Sequence, residues 1–104
     1  MGPKTKKLIL VLEEAIDLLK KHGESHWASW LEKDKNRIVQ ADYYGVEHLL
    51  SLFGGMGSFD DLLICKENGH SIEGKQVPSV NDRLKSLTNE IYELAENVRK
   101  EANP

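Results

Sequence analysis

The sequence predicts a mainly α-helical domain of four helices with one longer insert before the last helix. Two observations lead to this prediction. Apolar residues recur at intervals of three and four over long stretches, which places them on one face of a helix. Turn-forming residues separate those stretches. A chain of 104 residues is expected to form one domain over 1–104. The helices are expected at about 5–22, 26–35, 37–53 and 80–101.

The first and last helices are expected to pack antiparallel and to form most of the core. Between Leu8 and Leu19 the apolar residues follow a 4-3-4 spacing, and their apolar neighbours widen the stripe, which is typical of a buried helix. Gly23 follows as a left-handed cap. The same spacing repeats from Val80 to Val98. This regular stripe predicts packing on the first helix, with a homodimer through the last helix as the alternative.

The two middle helices carry features that point to close packing. Trp27, Trp30 and Leu31 share one face of the second helix, and we expect them to pack against the first helix. Residues 32–35 are expected to form a solvated face. Gly45 interrupts the pattern of the third helix, where it marks a close helix crossing or a restart capped by Asp42. The third helix is expected to end at Gly54.

The insert at about 61–74 is predicted to be a small β-hairpin or a loop. Leu62-Leu63-Ile64-Cys65 is a short apolar run, and Asn68-Gly69 is a turn signal because this pair readily adopts positive φ. Residues 70–73 would then return antiparallel to the first run.

Charge and composition exclude several classes of protein. The net charge is −3, so a nucleic-acid-binding role is not expected, because that affinity depends on clustered Lys and Arg. Cys65 is the single cysteine, which rules out an intrachain disulfide and fits a reducing cytoplasm. No apolar run approaches the roughly 20 residues that a membrane span requires. We expect a cytoplasmic protein without a membrane segment.

The glycine-rich stretch at 54–61 is the segment that core packing explains least. Three glycines in four residues let the backbone approach a ligand closely, so the loop is either an anion-binding nest or only a tight turn. It lacks a Walker pattern and a G-x-G-x-x-G fingerprint. The candidate ligand-binding residues are Gly55, Met56, Gly57, Ser58, Asp60, Asp61, Asp42 and His48.

The same stretch carries a resemblance to a known family. Gly54 to Leu62 resembles the G-G-M-G-S-[hydrophobic]-[Asn/Asp]-Asp-Leu signature of a family of small, uncharacterised bacterial proteins, with Asp60 where Asn is common. Trp27 with Leu31 upstream is similar too. The resemblance implies a bacterial, cytosolic, stand-alone domain in which this motif is the distinctive loop.

No catalytic set or metal-ligand spacing accompanies the loop, so no catalytic residue, metal or cofactor is expected. Cys65 has no Cys-x-x-Cys partner, and its expected role is a buried small side chain. We therefore expect a non-enzymatic cytosolic binding protein, immunity-like or regulatory, that acts on an unknown protein partner. The alternative is a small-ligand, metal-binding or catalytic pocket at the loop, lined by Asp42, His48 and Asp61.

Overall fold

The computed structural model describes residues 1–54 and 56–102. It confirms the predicted mainly α-helical architecture of four helices. Within the described residues the helices are α1 (Pro3–Lys21), α2 (Ser25–Val39), α3 (Tyr44–Ser51) and α4 (Val77–Ala102). None of them combines the length and the hydrophobicity that a membrane span needs.

Helix α1 is the centre of the packing and contacts both α2 and α4, while α3 bridges α2 and α4. An ion pair of 3.0 Å joins Lys4, at the start of α1, to Glu101, at the end of α4. A second pair joins Glu14 to Arg83 near the start of α4. Since opposite ends of the two helices meet, α1 and α4 run antiparallel, as their apolar stripes predict.

One hydrophobic core collects side chains from all four helices and from the segment after α3. The stripe of α4 faces this core, so the chain's own helices cover it. The largest buried apolar side chains of the core are Leu8, Leu12, Leu19, Leu31, Leu49, Phe59, Ile64, Leu87 and Ile91.

The predicted third helix at 37–53 is wrong at its beginning. Helix α2 continues to Val39, a four-residue connection follows, and α3 starts only at Tyr44. The chain turns at Ala41, which adopts a left-handed φ of 60°. Asp42 Oδ1 then accepts a 3.1 Å hydrogen bond from the N–H of Tyr44. The predicted restart capped by Asp42 is therefore present, two residues before the first residue of α3.

The β-hairpin predicted at 61–74 is wrong, because this described segment contains no strand. Ile64 does not pair with a second strand. Its N–H donates to Asn81 Oδ1 at 2.7 Å, and its carbonyl accepts from Asn81 Nδ2 at 2.9 Å. An α4 side chain thus satisfies the backbone that a hairpin would have paired. Three short 3₁₀ turns shape this region, at Phe59–Asp61, Lys66–Asn68 and Gly74–Gln76.

Helix α4 begins three residues earlier than predicted. Pro78 occupies its second position, where proline is tolerated because the first N–H groups of a helix have no intrahelical partner. The preceding turn is closed by a capping box, in which Glu73 and Gln76 exchange side chain–backbone hydrogen bonds. The helix therefore starts at Val77.

Candidate functional site

The glycine-rich loop after α3 is braced by its own carboxylates. Gly54 and Gly57 adopt left-handed φ values of 96° and 78°. Asp60 Oδ1 accepts from the N–H of Gly54 at 3.3 Å, and Asp61 Oδ2 accepts from the N–H of Gly57 at 3.2 Å. The Ser58 hydroxyl also donates to Asp60. Two N–H groups that an anion-binding nest would offer are thus already paired inside the loop.

The hydrogen bonds at Asp60 also keep its carboxylate charged. The Ser58 hydroxyl, together with the N–H of Gly54, holds the pKa of Asp60 below its ordinary value, although partial burial acts in the opposite direction. The exposed tip of the loop therefore carries a fixed negative charge at neutral pH.

Phe59 anchors the loop to the core, whereas Met56 points away from it. The N–H of Phe59 donates to the carbonyl of Leu52 at 2.8 Å. Its buried ring lies 5.5 Å from the Trp27 ring and 5.7 Å from the Phe53 ring, centre to centre. Met56 is 97% exposed. The packing of the described residues therefore accounts for Phe59 but gives no reason for a large apolar side chain at position 56.

Two grooves flank Asp60 along α4. One, of about 390 Å³, lies between the end of α3 and α4, and Phe53 and Tyr92 form its apolar wall with ring centres 5.1 Å apart. The other, of about 360 Å³, runs past Leu63 on the opposite side of Asp60. Leu63, Tyr92 and Met56 are all exposed. Apolar side chains therefore lie beside Asp60 in both grooves.

Most of the predicted site residues lie close together in the structure, but some of them do not. Gly55 lies outside the described residues. Asp42 lies at the other end of α3, where it borders a separate cavity of about 330 Å³ beside Thr5. Neither Asp42 nor His48 lines the groove between α3 and α4. The predicted residues that lie together are Met56, Gly57, Ser58, Asp60 and Asp61.

His48 contacts Asp34, one of residues 32–35, for which the sequence predicts a solvated face. Asp34 is 0% exposed, and both of its carboxylate oxygens lie within 2.9 Å of His48 Nδ1. Arg37 donates to the same carboxylate at 3.2 Å. The signal was present in the sequence, because Asp34 lies between Leu31 and Ile38 at the 3-4 spacing of the buried stripe of α2.

The charge of Asp34 depends on these two partners. Burial raises its pKa above the ordinary value, because the carboxylate is removed from water, while the hydrogen bonds and charges of His48 and Arg37 pull in the opposite direction. The pair forms because α3 crosses α2 very closely at Gly45. A Cβ atom at that position would lie 2.8 Å from both the Asp34 carbonyl oxygen and Arg37 Cβ.

Aromatic rings and cations are grouped around His48 at the α2–α3 crossing. The Trp30 ring lies 5.0 Å from the His48 ring, and the Tyr44 ring lies 6.1 Å from it. Lys33 Nζ is 5.1 Å from the Trp30 ring centre, and the Arg37 guanidinium is 5.0 Å from that of Tyr44. We call Lys33, Trp30, His48, Tyr44 and Arg37 the cation–aromatic ladder.

A second histidine fastens the insert to the start of α2. The N–H of Cys65 donates to His70 Nδ1 at 3.1 Å, so the ring hydrogen is on Nε2, which donates to Glu24 Oε1 at 2.9 Å. Glu24 also accepts from the N–H of Trp27 at 3.0 Å. Burial raises the pKa of Glu24, but the hydrogen bonds from His70 and Trp27 outweigh it and leave that pKa below its ordinary value. Both ring nitrogens are used, so His70 is a structural brace.

No group of three or more His, Cys, Asp or Glu side chains in residues 1–54 and 56–102 has a geometry that could hold a metal ion. The carboxylates of the loop point to backbone N–H groups and a hydroxyl instead.

The sequence model of one protein family, described as "Domain of unknown function (DUF6966)", matches residues 20–73. The matched region contains the glycine-rich loop, the buried Asp34–His48 pair and the Glu24–His70 brace. No curated protein and no solved structure matches the chain.

Proposed function

The chain belongs to the DUF6966 family, and we propose that it is a non-enzymatic binding protein of the bacterial cytosol, immunity-like or regulatory, that acts on a protein partner. The partner would bind Met56 together with the grooves that Phe53, Asp60, Leu63 and Tyr92 line, a region that we call the Met56 surface.

The exposure of Met56 is the observation that carries this proposal. Its side chain is 97% exposed on a loop held by Asp60, Asp61 and the buried ring of Phe59. Full burial of a methionine side chain contributes roughly 1.5–3 kcal/mol. A loop that is already braced loses little further conformational entropy when a partner binds, so more of this free energy is available for affinity.

The charges beside the Met56 surface indicate the chemistry of the partner. Asp60 and Glu93 border one groove, and Asp82 borders the other together with a single cation, Lys85. Three carboxylates against one ammonium group favour a partner that presents Lys or Arg around an apolar pocket for Met56.

The resemblance of the G-G-M-G-S stretch to small bacterial proteins supports the proposed bacterial origin. The single, buried Cys65 is compatible with a reducing cytoplasm. We propose that the binding unit is a monomer, because the apolar stripe of α4, the alternative dimer seam, is buried against the chain's own helices.

The alternative of a small-ligand or metal pocket receives less support from the geometry. The groove of about 390 Å³ is large enough for a small ligand. However, His48 is bonded to Asp34 rather than to the loop, and Asp42 caps the far end of α3. The three side chains that were expected to line one pocket therefore do not meet.

Site-specific photocrosslinking tests the proposal. A photoreactive amino acid is introduced at position 56 or, as the matched control, at Leu10, an exposed apolar residue of α1 that is 63% exposed. Both variants are expressed in a bacterial cell that encodes the protein. We expect one discrete protein adduct from position 56 and none from position 10.

Mass spectrometry of the adduct then identifies the partner and its contact peptide. A contact peptide that contains Lys or Arg beside apolar residues supports the proposed chemistry. Absence of an adduct from position 56, or the same adducts from both positions, would contradict the proposal.

A further inference from the structure

The cation–aromatic ladder lies on a different face of α3 from the Met56 surface. His48 faces α2, whereas Leu50 lines the groove against α4. Residues two apart in a helix do not share a face. The ladder therefore needs an explanation of its own.

The buried Asp34 fixes the orientation of two side chains of the ladder. Its buried carboxylate holds His48 in the middle of the ladder and Arg37 at one end. A buried charge is costly to fold and contributes little net stability compared with an apolar residue. It does, however, set the orientation of the two side chains that it binds, which prepares the exposed groups of the ladder for a partner.

One end of the ladder presents an unpaired cation, and the other presents N–H donors that are still free. Lys33 lies over Trp30 and forms no ion pair with any carboxylate in residues 1–54 and 56–102. Arg37 uses one terminal nitrogen on Asp34, and a guanidinium has five N–H donors. Tyr44, between Arg37 and His48, is 58% exposed. Tryptophan, tyrosine and arginine are also the residues enriched in binding hot spots.

These features select an acidic protein segment over a nucleic acid. Single-stranded nucleic acids bind by stacking bases on open aromatic faces. Here Lys33 and His48 lie 5.1 and 5.0 Å from the Trp30 ring centre, and Arg37 and His48 lie 5.0 and 6.1 Å from the Tyr44 ring centre, so both rings already have polar neighbours. The N–H donors of Lys33 and Arg37 and the exposed part of Tyr44 are what the ladder offers, and they suit carboxylates next to an apolar side chain.

We propose that the cation–aromatic ladder is a second docking surface, and that it binds an acidic segment of a protein through Lys33, Arg37 and the exposed part of Tyr44. The ladder is independent of the Met56 surface, because the ladder would bind an acidic segment, whereas the Met56 surface would bind a partner that presents Lys or Arg.

Selection from a phage-displayed library of random 12-residue peptides tests this inference. The folded full chain is the target, and the enriched peptides are synthesised and titrated. We expect them to combine Asp or Glu with an aromatic or aliphatic residue. Lys33→Glu should weaken their binding at least tenfold, and Lys33→Gln should weaken it less. Lys85→Glu, a matched change in α4, should leave their affinity within twofold.

The controls make each outcome decisive. Thermal unfolding of each variant confirms that the fold is retained, and Arg37 is left intact because it is bonded to Asp34. A library that yields no binder, peptides without acidic residues, or equal loss from Lys33→Glu and Lys85→Glu would overturn the inference. Lys33-dependent binding of a 12-nucleotide single-stranded RNA would also overturn it. Failure of the proposed Met56 surface is a separate outcome. In that case, basic peptides selected from the library would bind the wild type and Met56→Asp with equal affinity.

Discussion

At the scale of single residues, two backbone positions decide how α2 connects to α3. Gly45 allows the helices to cross so closely that His48 reaches the buried Asp34. Ala41 reverses the chain in a left-handed conformation that glycine adopts far more easily. Position 45 therefore requires glycine, and position 41 would accommodate glycine with less backbone strain than the alanine that it has.

Gly45→Ala should destabilise the protein. The added Cβ would lie 2.8 Å from the Asp34 carbonyl oxygen, and such overpacking costs typically 1–3 kcal/mol. The gain in helix propensity is about 1 kcal/mol. Because one of the clashing atoms belongs to the backbone, the cost should lie in the upper part of that range, at about 2–3 kcal/mol. We therefore expect a net loss of about 1–2 kcal/mol in the free energy of unfolding, measured with urea. Gly74→Ala, where the Cβ would meet nothing within 4 Å, is the control and should be nearly neutral. An unchanged or more stable Gly45→Ala variant would refute the close crossing.

Ala41→Gly should stabilise the protein. A left-handed conformation costs an L-residue roughly 1–2 kcal/mol, whereas the added freedom of glycine in the unfolded chain costs about 0.4–1 kcal/mol. The strain that glycine relieves in the folded state is larger than its cost in the unfolded chain. We therefore expect the free energy of unfolding to rise by about 0.5–1 kcal/mol. For a domain of this size this raises Tm by roughly 2–8 °C in calorimetry.

The control for Ala41→Gly is Ser29→Gly, an exposed position inside α2, where glycine is expected to lower Tm. A lower Tm for Ala41→Gly would mean that Ala41 does not adopt the left-handed conformation in solution.

Residue roles were predictable where they follow from local sequence and were missed where they depend on a distant partner. Asp42 as a cap and Gly45 as a close crossing follow from short-range patterns. The pairing of Asp34 with His48 joins residues 14 apart on different helices, and composition alone placed Asp34 among solvated charges. Its position on the apolar stripe of α2 was the one sequence signal of its burial.

At the scale of elements, the connections rather than the helices departed from expectation. The apolar periodicity predicted the existence of all four helices, because burial of one face dominates helix stability in a folded chain. It did not predict the insert. There the side chain of Asn81 pairs with the backbone of Ile64, and His70 ties the insert to Glu24. Hydrogen bonds of this kind, which a side chain makes to a distant group, produce no periodic pattern in the sequence.

Glu24→Gln should weaken the attachment of the insert in a pH-dependent manner. The pKa of Glu24 is lowered in the folded state, so its charge stabilises the fold above its unfolded pKa, and this stabilisation is lost as the pH falls through the folded pKa. We expect Glu24→Gln to cost about 1–2 kcal/mol at pH 7, from the weakened cap and hydrogen bonds. The difference from the wild type should shrink below about pH 4.

Denaturant unfolding between pH 3 and pH 7 measures this difference. Glu32→Gln is the matched control on the same helix, because Glu32 pairs with Lys20 on the exposed surface and such pairs contribute little. The role assigned to Glu24 would be contradicted if Glu24→Gln lowered the free energy of unfolding by the same amount at every pH. It would also be contradicted if Glu32→Gln lowered it equally.

At the scale of the whole molecule, the antiparallel α1–α4 core was predictable because it rests on two long apolar stripes. The candidate site was predictable only in its location. The stretch at 54–61 was recognised from its glycines and its motif, but the use of Asp60 and Asp61 as internal braces depends on the folded loop. The fold thereby presents Met56 on a loop braced by two carboxylates and Lys33 over Trp30 on α2.

The most direct test of the proposed function is the affinity of the purified protein for the partner crosslinked at position 56. Met56→Asp should raise Kd at least tenfold, because it replaces roughly 1.5–3 kcal/mol of apolar burial by a charge, and 1.4 kcal/mol corresponds to a factor of ten. Leu10→Asp should leave Kd within twofold. Equal Kd values for the wild type and Met56→Asp would contradict binding through the Met56 surface.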